Sequence, residues 1–189
     1  MQIPPPGGRD AAAWRERGLR DAALAGDATA WGALYDEAFA PLDAYVSWRC
    51  GGRREWTDEV LQETWLVAVD RLGSFDPARA PFTGWLCGIA ANVIRNQLRK
   101  RRRVARGARN SERRTRNSED PLEQTERQER VAEALAELPQ RYERALRAKY
   151  LDRMSVAEIA AAWGESEKAV ESLLTRARQA FRAAYESRE

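Results

Sequence analysis

Histidine is absent from this 189-residue sequence, and cysteine occurs only twice. Without an imidazole, the chain lacks the usual side chain for acid–base catalysis and for most zinc sites. Cys50 and Cys87 lie in helical patterns without the spacing of a metal site, so we expect buried thiols in a reducing compartment, with a structural disulfide as the alternative. These absences exclude histidine-based catalysis and most zinc sites, and we predict no metal, no cofactor and no enzymatic activity, with a carboxylate-bound metal site as the remaining enzymatic alternative.

Long apolar runs are also missing. No segment approaches the roughly 20 consecutive apolar residues that a membrane-spanning helix needs, and no secretory signal follows Met1. These two absences predict a cytoplasmic protein that has no membrane association.

Neither sign of charge dominates the whole chain, but the distribution is uneven. The 32 Lys and Arg residues and the 29 Asp and Glu residues give a net charge of +3. Between Arg95 and Arg116, however, about eleven residues are basic and one is acidic. Such a local excess favours a polyanion such as nucleic acid as partner, although an exposed basic helix end is the simpler alternative.

A first amphipathic helix is predicted from Asp58 to Leu72. Its apolar positions recur with helical spacing at Val60, Leu61, Thr64, Trp65, Val67, Ala68 and Leu72. The opposite side is acidic and carries Asp58, Glu59, Gln62, Glu63 and Asp70. The pattern alone fits a docking surface and an ordinary solvated face equally well.

A second helix is predicted after the Gly73–Pro77 interruption, because glycine and proline end one helix and proline favours the start of the next. Its apolar stripe consists of Phe82, Trp85, Leu86, Ile89 and Val93. The helix ends in the basic block Arg99–Arg103. Arginine matches phosphate geometry, so this end is a candidate for binding nucleic acid.

The whole chain is predicted to be all-α, with two small helical domains joined by a flexible polar linker. We assign residues 1–16 to a flexible leader, 17–103 to the first domain, 104–129 to the linker and 130–189 to the second domain. Trp14 either covers an edge of the first domain or belongs to a short extra helix beginning near Asp10. The stripe Trp31, Leu34, Tyr35 and Phe39 is expected in the core, facing Trp65 and Trp85, with a break or kink at Pro41.

The second domain contains a helix-turn-helix pattern. Ser155 and Glu158 have the spacing of a capping box, Gly164 suits the turn, and Ser166 can cap the following helix. The buried stripe of that helix is predicted to be Val170, Leu174, Ala177 and Phe181. Its exposed arc is then Lys168, Glu171, Ser172, Thr175, Arg176, Gln179 and Arg182. This arc would meet DNA in a DNA-binding module, whereas the alternative is a plain helical hairpin.

The order of these parts resembles the extracytoplasmic-function group of bacterial sigma factors over about residues 17–187. The passages that carry the resemblance are Ala25–Asp27 with Leu34–Tyr35; Asp58–Glu63 with Phe75–Pro77 and Gly84–Leu86; and Leu138–Pro139 with Ser155–Ala160 and Arg176–Arg178. The resemblance implies an RNA polymerase sigma factor that directs promoter recognition, DNA opening and transcription initiation. It implies core RNA polymerase, through its clamp coiled coil, and promoter DNA as partners, a possible anti-sigma factor, and a monomer when free.

The resemblance also implies three sets of site residues. Those for core polymerase are Asp58, Gln62 and Glu63. Those for the minus-10 element are Phe75, Asp76, Arg79, Asn92, Arg95, Arg99, Lys100 and Arg102. Those for the minus-35 element are Lys168, Glu171, Ser172, Thr175 and Arg176.

The sequence departs from the family pattern in both domains. Ala91 and Asn96 stand where relatives usually carry arginine and aspartate, and Glu171 and Leu173 stand where relatives are often basic. Glutamate can accept a hydrogen bond from a cytosine amino group, so the departure implies either an altered minus-35 preference or weak minus-35 contact.

Two other functions compete with the sigma-factor hypothesis. One is a free-standing DNA-binding transcription regulator that uses the helix-turn-helix without polymerase, for which we expect a dimer. The other is a nuclease in which Asp58, Glu59 and Glu63 bind a metal, although such sites usually draw ligands from several elements.

Overall fold

The structure is a computed structural model that describes residues 9–108 and 121–187. Within these ranges the regular elements are helices and no strand occurs, which confirms the predicted all-α fold. The helices are α1 (Arg9–Leu24), α2 (Ala28–Arg49), α3 (Arg54–Arg71), α4 (Phe82–Ala108), α5 (Pro121–Glu137), α6 (Gln140–Leu146), α7 (Val156–Trp163) and α8 (Glu167–Glu186). A 3₁₀ turn at Leu72–Ser74 follows α3, and a π-helical turn at Arg147–Leu151 follows α6.

The chain divides into two compact units. The described residues of Met1–Val46 and Thr57–Val93 form the first, and those of Ser47–Trp56 and Ile94–Glu189 form the second. The turn between α2 and α3 and the later part of α4 therefore group with the C-terminal helices, although the sequence pattern places both in the first domain.

The core of the first unit comes from α2, α3 and the first half of α4. Buried positions four residues apart on α2 (Leu34, Ala38, Leu42 and Val46) form the stripe that an amphipathic helix turns inward. Trp31 packs edge-on to Trp65 with 6.2 Å between ring centroids, as the aromatic pattern predicts.

Two aromatic predictions in this unit are wrong. The pattern predicts Tyr35 and Phe39 in the core, but they are 36% and 40% exposed because they lie at the margin of the buried α2 positions. Tyr35 does pack against Trp65 as predicted, with 4.6 Å between ring centroids. Trp85 does not join the Trp31 stripe but packs with Phe75 and Phe82.

Pro41 does not break α2, which continues from Ala28 to Arg49. A proline inside a helix costs about 3 kcal/mol or more. The residues that follow it offset that cost, because Leu42, Tyr45 and Val46 are all buried in the core.

The leader differs from the prediction, because α1 begins at Arg9 and makes residues 9–16 helical. The alternative, an extra helix beginning near Asp10, is confirmed. Trp14 is 70% exposed and so covers little of the domain. Gly26 ends this part of the chain with a φ of +95°, and Asp27 then caps α2 by accepting hydrogen bonds from the amides of Thr29 and Ala30.

The second unit contains α5 to α8, and its helix-turn-helix caps form as predicted. Ser155 and Glu158 make a reciprocal capping box at the start of α7. Gly164 ends α7 in the left-handed conformation, with a φ of +67°, and the Ser166 hydroxyl accepts a hydrogen bond from the amide of Ala169 at the start of α8.

The segment between α4 and α5 is shorter at both ends than the predicted linker, residues 104–129. Residues 121–129 belong to α5 rather than to a linker, because Pro121 suits the first position of a helix and strong helix formers follow it. α4 extends to Ala108. The middle of the predicted linker, residues 109–120, lies outside the described residues. Among the helices that the structure describes, none is long and apolar enough to cross a lipid bilayer.

Candidate nucleic-acid and protein interfaces

The acidic side of α3 is exposed as predicted. Asp58, Gln62 and Glu63 face solvent, and the opposite side of the helix, including Val60 and Thr64, is buried. The three predicted polymerase-binding residues therefore lie on the accessible surface of α3.

Exposed apolar side chains extend this surface, and sequence reasoning missed them. Leu66, four residues after Gln62, is 66% exposed, and Val69 is 58% exposed. Helical neighbours three and four residues apart lie on the same side. A combined acidic and apolar surface is more typical of a protein interface than of a solvated face.

The connection from α3 to α4 is fixed by an aromatic cluster. Phe75 and Phe82 are buried, with 5.2 Å between their ring centroids, and Phe75 lies 5.4 Å from Trp85. Phe75, one of the predicted minus-10 residues, therefore lies beneath the connection rather than on its surface.

The tip of this connection is exposed and locally ordered. Asp76 accepts a hydrogen bond from the amide of Ala78 at 3.0 Å through its carboxylate, and from the amide of Arg79 at 3.0 Å through its carbonyl oxygen. The Arg79 guanidinium also lies 3.6 Å from the Asp76 carboxylate. Of the three predicted minus-10 residues in this connection, Asp76 and Arg79 are thus placed where a ligand can reach them.

The predicted minus-10 residues of α4 follow one another at helical spacing. Asn92, Arg95 and Arg99 fall within an arc of about 60° at 3.6 residues per turn, and all three are exposed. Arg99 donates a hydrogen bond to Asn96, which stands at one of the family departures. Lys100 is also exposed, and the side chain of Arg102 lies outside the described residues.

Several basic residues of the second unit are paired within that unit, and one of them, Arg101, belongs to the basic excess. Arg53 forms an ion pair with Glu129, and the Arg101 guanidinium lies 3.7 Å from Glu129 and 4.6 Å from the Trp56 ring centroid. Arg49 is buried, with its Nε 3.6 Å from Glu143. The exposed basic residues of α4 are therefore a better guide to a polyanion surface than the count of charges.

The five predicted minus-35 residues are exposed on the N-terminal half of α8: Lys168, Glu171, Ser172, Thr175 and Arg176. The Thr175 hydroxyl donates to the carbonyl oxygen of Glu171 at 2.9 Å. Arg178, which lies beyond the predicted set, approaches the hydroxyl of exposed Tyr150 at 3.5 Å.

Leu173 has a structural role. It is 2% exposed and belongs to the core with Ile159 and Val170. Its departure from the family pattern therefore changes core packing rather than the exposed arc of α8.

The nuclease hypothesis required Asp58, Glu59 and Glu63 to converge on a metal. In the part of the chain that the structure describes, no three carboxylate or thiolate side chains come together in that way. Cys50 and Cys87 are both buried and form no disulfide, so the alternative of a structural disulfide is wrong.

Comparison with known proteins identifies both halves. The protein-family model of sigma-70 region 2 matches residues 36–104, and the family model of sigma-70 region 4 matches residues 128–181. The chain is 29% identical to the ECF RNA polymerase sigma factor BldN of Streptomyces coelicolor over 84% of its own length and 61% of that protein. It is 30% identical to the ECF RNA polymerase sigma factor SigL of Mycobacterium tuberculosis, over 85% of this chain and 91% of that one.

A solved structure, that of CnrH in complex with the cytosolic domain of CnrY, shares 30% identity over 93% of this chain and 99% of that one, with a TM-score of 0.49. A region 2 followed by a region 4 defines a sigma factor of the sigma-70 class. Within that class, the chain belongs to the extracytoplasmic-function RNA polymerase sigma factors.

Proposed function

We propose that this sigma factor binds core RNA polymerase through α3, holds the opened minus-10 element with the α3–α4 connection and α4, and reads the minus-35 element with α8. The observation that carries this proposal is the exposure, within the two matched regions, of an acidic helix face, a locally ordered loop tip and a helix-turn-helix arc. The acidic face of α3 suits a basic protein surface, and the exposed basic residues of α4 and α8 suit the phosphates of DNA. The protein would act as a non-catalytic subunit.

The polymerase contact would combine charge and apolar burial. Asp58, Gln62 and Glu63 offer carboxylate and amide groups to a basic partner helix, and Leu66 offers apolar surface one turn further on. Interface energy is usually concentrated in a few such residues.

This contact yields the first prediction. Replacing Gln62 and Glu63 together by alanine should abolish binding to core polymerase, measured by fluorescence anisotropy with labelled protein, while the thermal unfolding midpoint stays unchanged. The matched control replaces Gln179 and Glu186, an exposed glutamine and glutamate of α8, by alanine. Its affinity for core polymerase should equal that of the wild type. Wild-type affinity in the Gln62 and Glu63 variant would refute the docking assignment.

The minus-10 contact would begin at the loop tip. Extracting a base from the stack costs a few kcal/mol, so the base needs a preformed acceptor site. Asp76 and Arg79 at the exposed tip supply hydrogen-bonding groups, and the exposed Asn92, Arg95 and Arg99 of α4 supply polar and positive groups for the adjoining backbone.

The minus-35 contact would use the arc of α8. Glu171 can accept from a cytosine amino group, whereas Lys168 and Arg176 can contact phosphate. Because Leu173 lies in the core, Glu171 is the departure on this arc that can alter the preferred sequence.

The experiment that tests the function is reconstitution with core polymerase, followed by sequencing of transcript starts. Promoter-specific starts that depend on this protein would support the proposal and supply both DNA elements. A palindromic footprint obtained without polymerase, and no change in transcript starts, would instead support the free-standing regulator.

The cellular location, the oligomeric state and an anti-sigma partner of this protein are predictions. We infer that the protein acts in the cytoplasm, with polymerase, which is consistent with two buried cysteines that form no disulfide. The monomeric free state and the possible anti-sigma factor rest on the family resemblance.

A further inference from the structure

Two side chains of α1 hold the two ends of the α3–α4 connection. The Arg20 guanidinium donates to the carbonyl oxygen of Phe75 at 2.9 Å, and the Glu16 carboxylate accepts from the amide of Phe82 at 3.1 Å. Glu16 and Arg20 are four residues apart and so lie on the same side of α1. Phe75 and Phe82 are the two ends of the segment that carries the exposed tip.

Each contact satisfies a backbone group that the local helix leaves without a partner. Phe82 is the first residue of α4, and the first amides of a helix have no acceptor within that helix. A carboxylate is also favoured there by the helix dipole. Glu16 therefore caps α4 from a different helix.

The carbonyl group of Phe75 lies at the C-terminal end of the 3₁₀ turn. Because the Arg20 guanidinium is positively charged, its hydrogen bond to this carbonyl oxygen is charge-assisted. Arg20 is itself mostly buried and is oriented by Asp21, whose carboxylate accepts from it at 2.7 Å and 2.9 Å. Burial raises the pKa of Glu16, while the hydrogen bond from Phe82 acts in the opposite direction.

The helix α1 is separately tied to α2. Arg15 donates to the Glu37 carboxylate, one contact measuring 2.9 Å, and both side chains are about half exposed. This pair touches neither end of the connection. It therefore provides an internal control for effects that arise only from loosening α1.

We propose that Glu16 and Arg20 are positioning residues for minus-10 recognition, which fix the distance and orientation of the loop ends so that the tip is preformed for one extruded base. The inference rests on the proposed function. The aromatic cluster of Phe75, Phe82 and Trp85 supports the segment from below, and α1 fixes its backbone by polar contacts. Without those contacts the tip samples more conformations, and binding must then supply the ordering free energy.

The test uses full-length Glu16→Ala and Arg20→Ala, with Glu16→Gln and Arg20→Lys as conservative variants and Arg15→Gln as the matched control. Each is assembled with core polymerase and mixed with a single-stranded oligonucleotide of the non-template minus-10 sequence found by transcript-start mapping. The affinity is also measured for an oligonucleotide changed at the extruded base.

We expect each alanine variant to bind the matched oligonucleotide about tenfold more weakly, the scale of losing one charge-assisted hydrogen bond. Because a loose tip loses discrimination as well as affinity, the ratio of matched to mismatched affinity should also fall. Glu16→Gln and Arg20→Lys, which keep an acceptor and a donor, should recover part of both. Arg15→Gln should match the wild type, and core affinity should be the same in all of them.

Variants that keep core affinity and show wild-type discrimination would overturn the inference. If the alanine variants lose core binding through misfolding, Glu16→Gln and Arg20→Lys decide the matter, because wild-type discrimination in both would also overturn it. Failure of the wild-type holoenzyme to discriminate the two oligonucleotides would refute the proposed minus-10 function itself, and is therefore distinguishable.

Discussion

Replacement of Leu173 by alanine separates a packing role from a DNA-reading role on the same helix. Leu173 is 2% exposed in the core of the helix-turn-helix, whereas its neighbour Ser172 is exposed on the arc proposed to read DNA. Removing a buried leucine side chain costs about 2–5 kcal/mol. Ser172→Ala removes an exposed hydroxyl and should change stability by less than about 0.5 kcal/mol.

The expected loss for Leu173→Ala, about 3 kcal/mol, corresponds to a fall of roughly 12–24 °C in the thermal unfolding midpoint of the second unit, at 4–8 °C per kcal/mol for a unit of about 60–100 residues. Calorimetry of the full chain measures this. Ser172→Ala should leave the midpoint unchanged but weaken binding to the mapped minus-35 duplex. A stable Leu173→Ala protein with altered minus-35 preference would show that Leu173 faces DNA and would refute its assignment to the core.

Two further substitutions test the turns and caps. Gly51→Ala should destabilise the protein more than Gly164→Ala in urea unfolding. Both glycines have a φ of +67°, but only the Cβ added at Gly51 would meet another backbone atom, the Gln128 carbonyl oxygen at 2.5 Å. Equal losses of stability in the two variants would contradict this steric explanation. Glu158→Gln should destabilise the protein at neutral pH, because hydrogen bonds from Ser155 lower the pKa of Glu158. A carboxylate whose pKa is lowered in the folded state loses its contribution to folding stability as the pH falls through that pKa. The stability difference between Glu158→Gln and the wild type should therefore shrink in acid. A stability difference that does not depend on pH would contradict the capping role of Glu158.

The helices with clear periodicity and caps could be predicted from the sequence alone. In α3 and α8 the apolar spacing identified most buried positions, and the Ser155 and Glu158 pair marked the start of α7. These signals are local, since each depends on residues within one or two turns of a helix. The exposed acidic face and the exposed arc of α8 followed from the same local information.

The parts that could not be predicted depend on contacts between distant residues. Arg20 meets Phe75 across 55 positions of sequence and Glu16 meets Phe82 across 66, and no periodicity encodes such pairs. The resemblance implies a minus-10 role for Phe75, but the burial of Phe75 depends on contacts with Phe82 and Trp85 that no helical periodicity shows. Leu66 was missed because an apolar residue on an acidic face looks like an isolated exception until its exposure is known.

The exposed leucine and valine of α3 have a consequence for ionic strength. Salt screens exposed charges over about 10 Å at 0.1 M, so it weakens any attraction that depends on the acidic residues beside them. Apolar burial is not screened in this way, and salts such as sulfate strengthen it. A partner that covers Leu66 and Val69 along with the carboxylates would thus retain part of its affinity in concentrated salt, while contacts made through arginine and phosphate on α4 and α8 would fade.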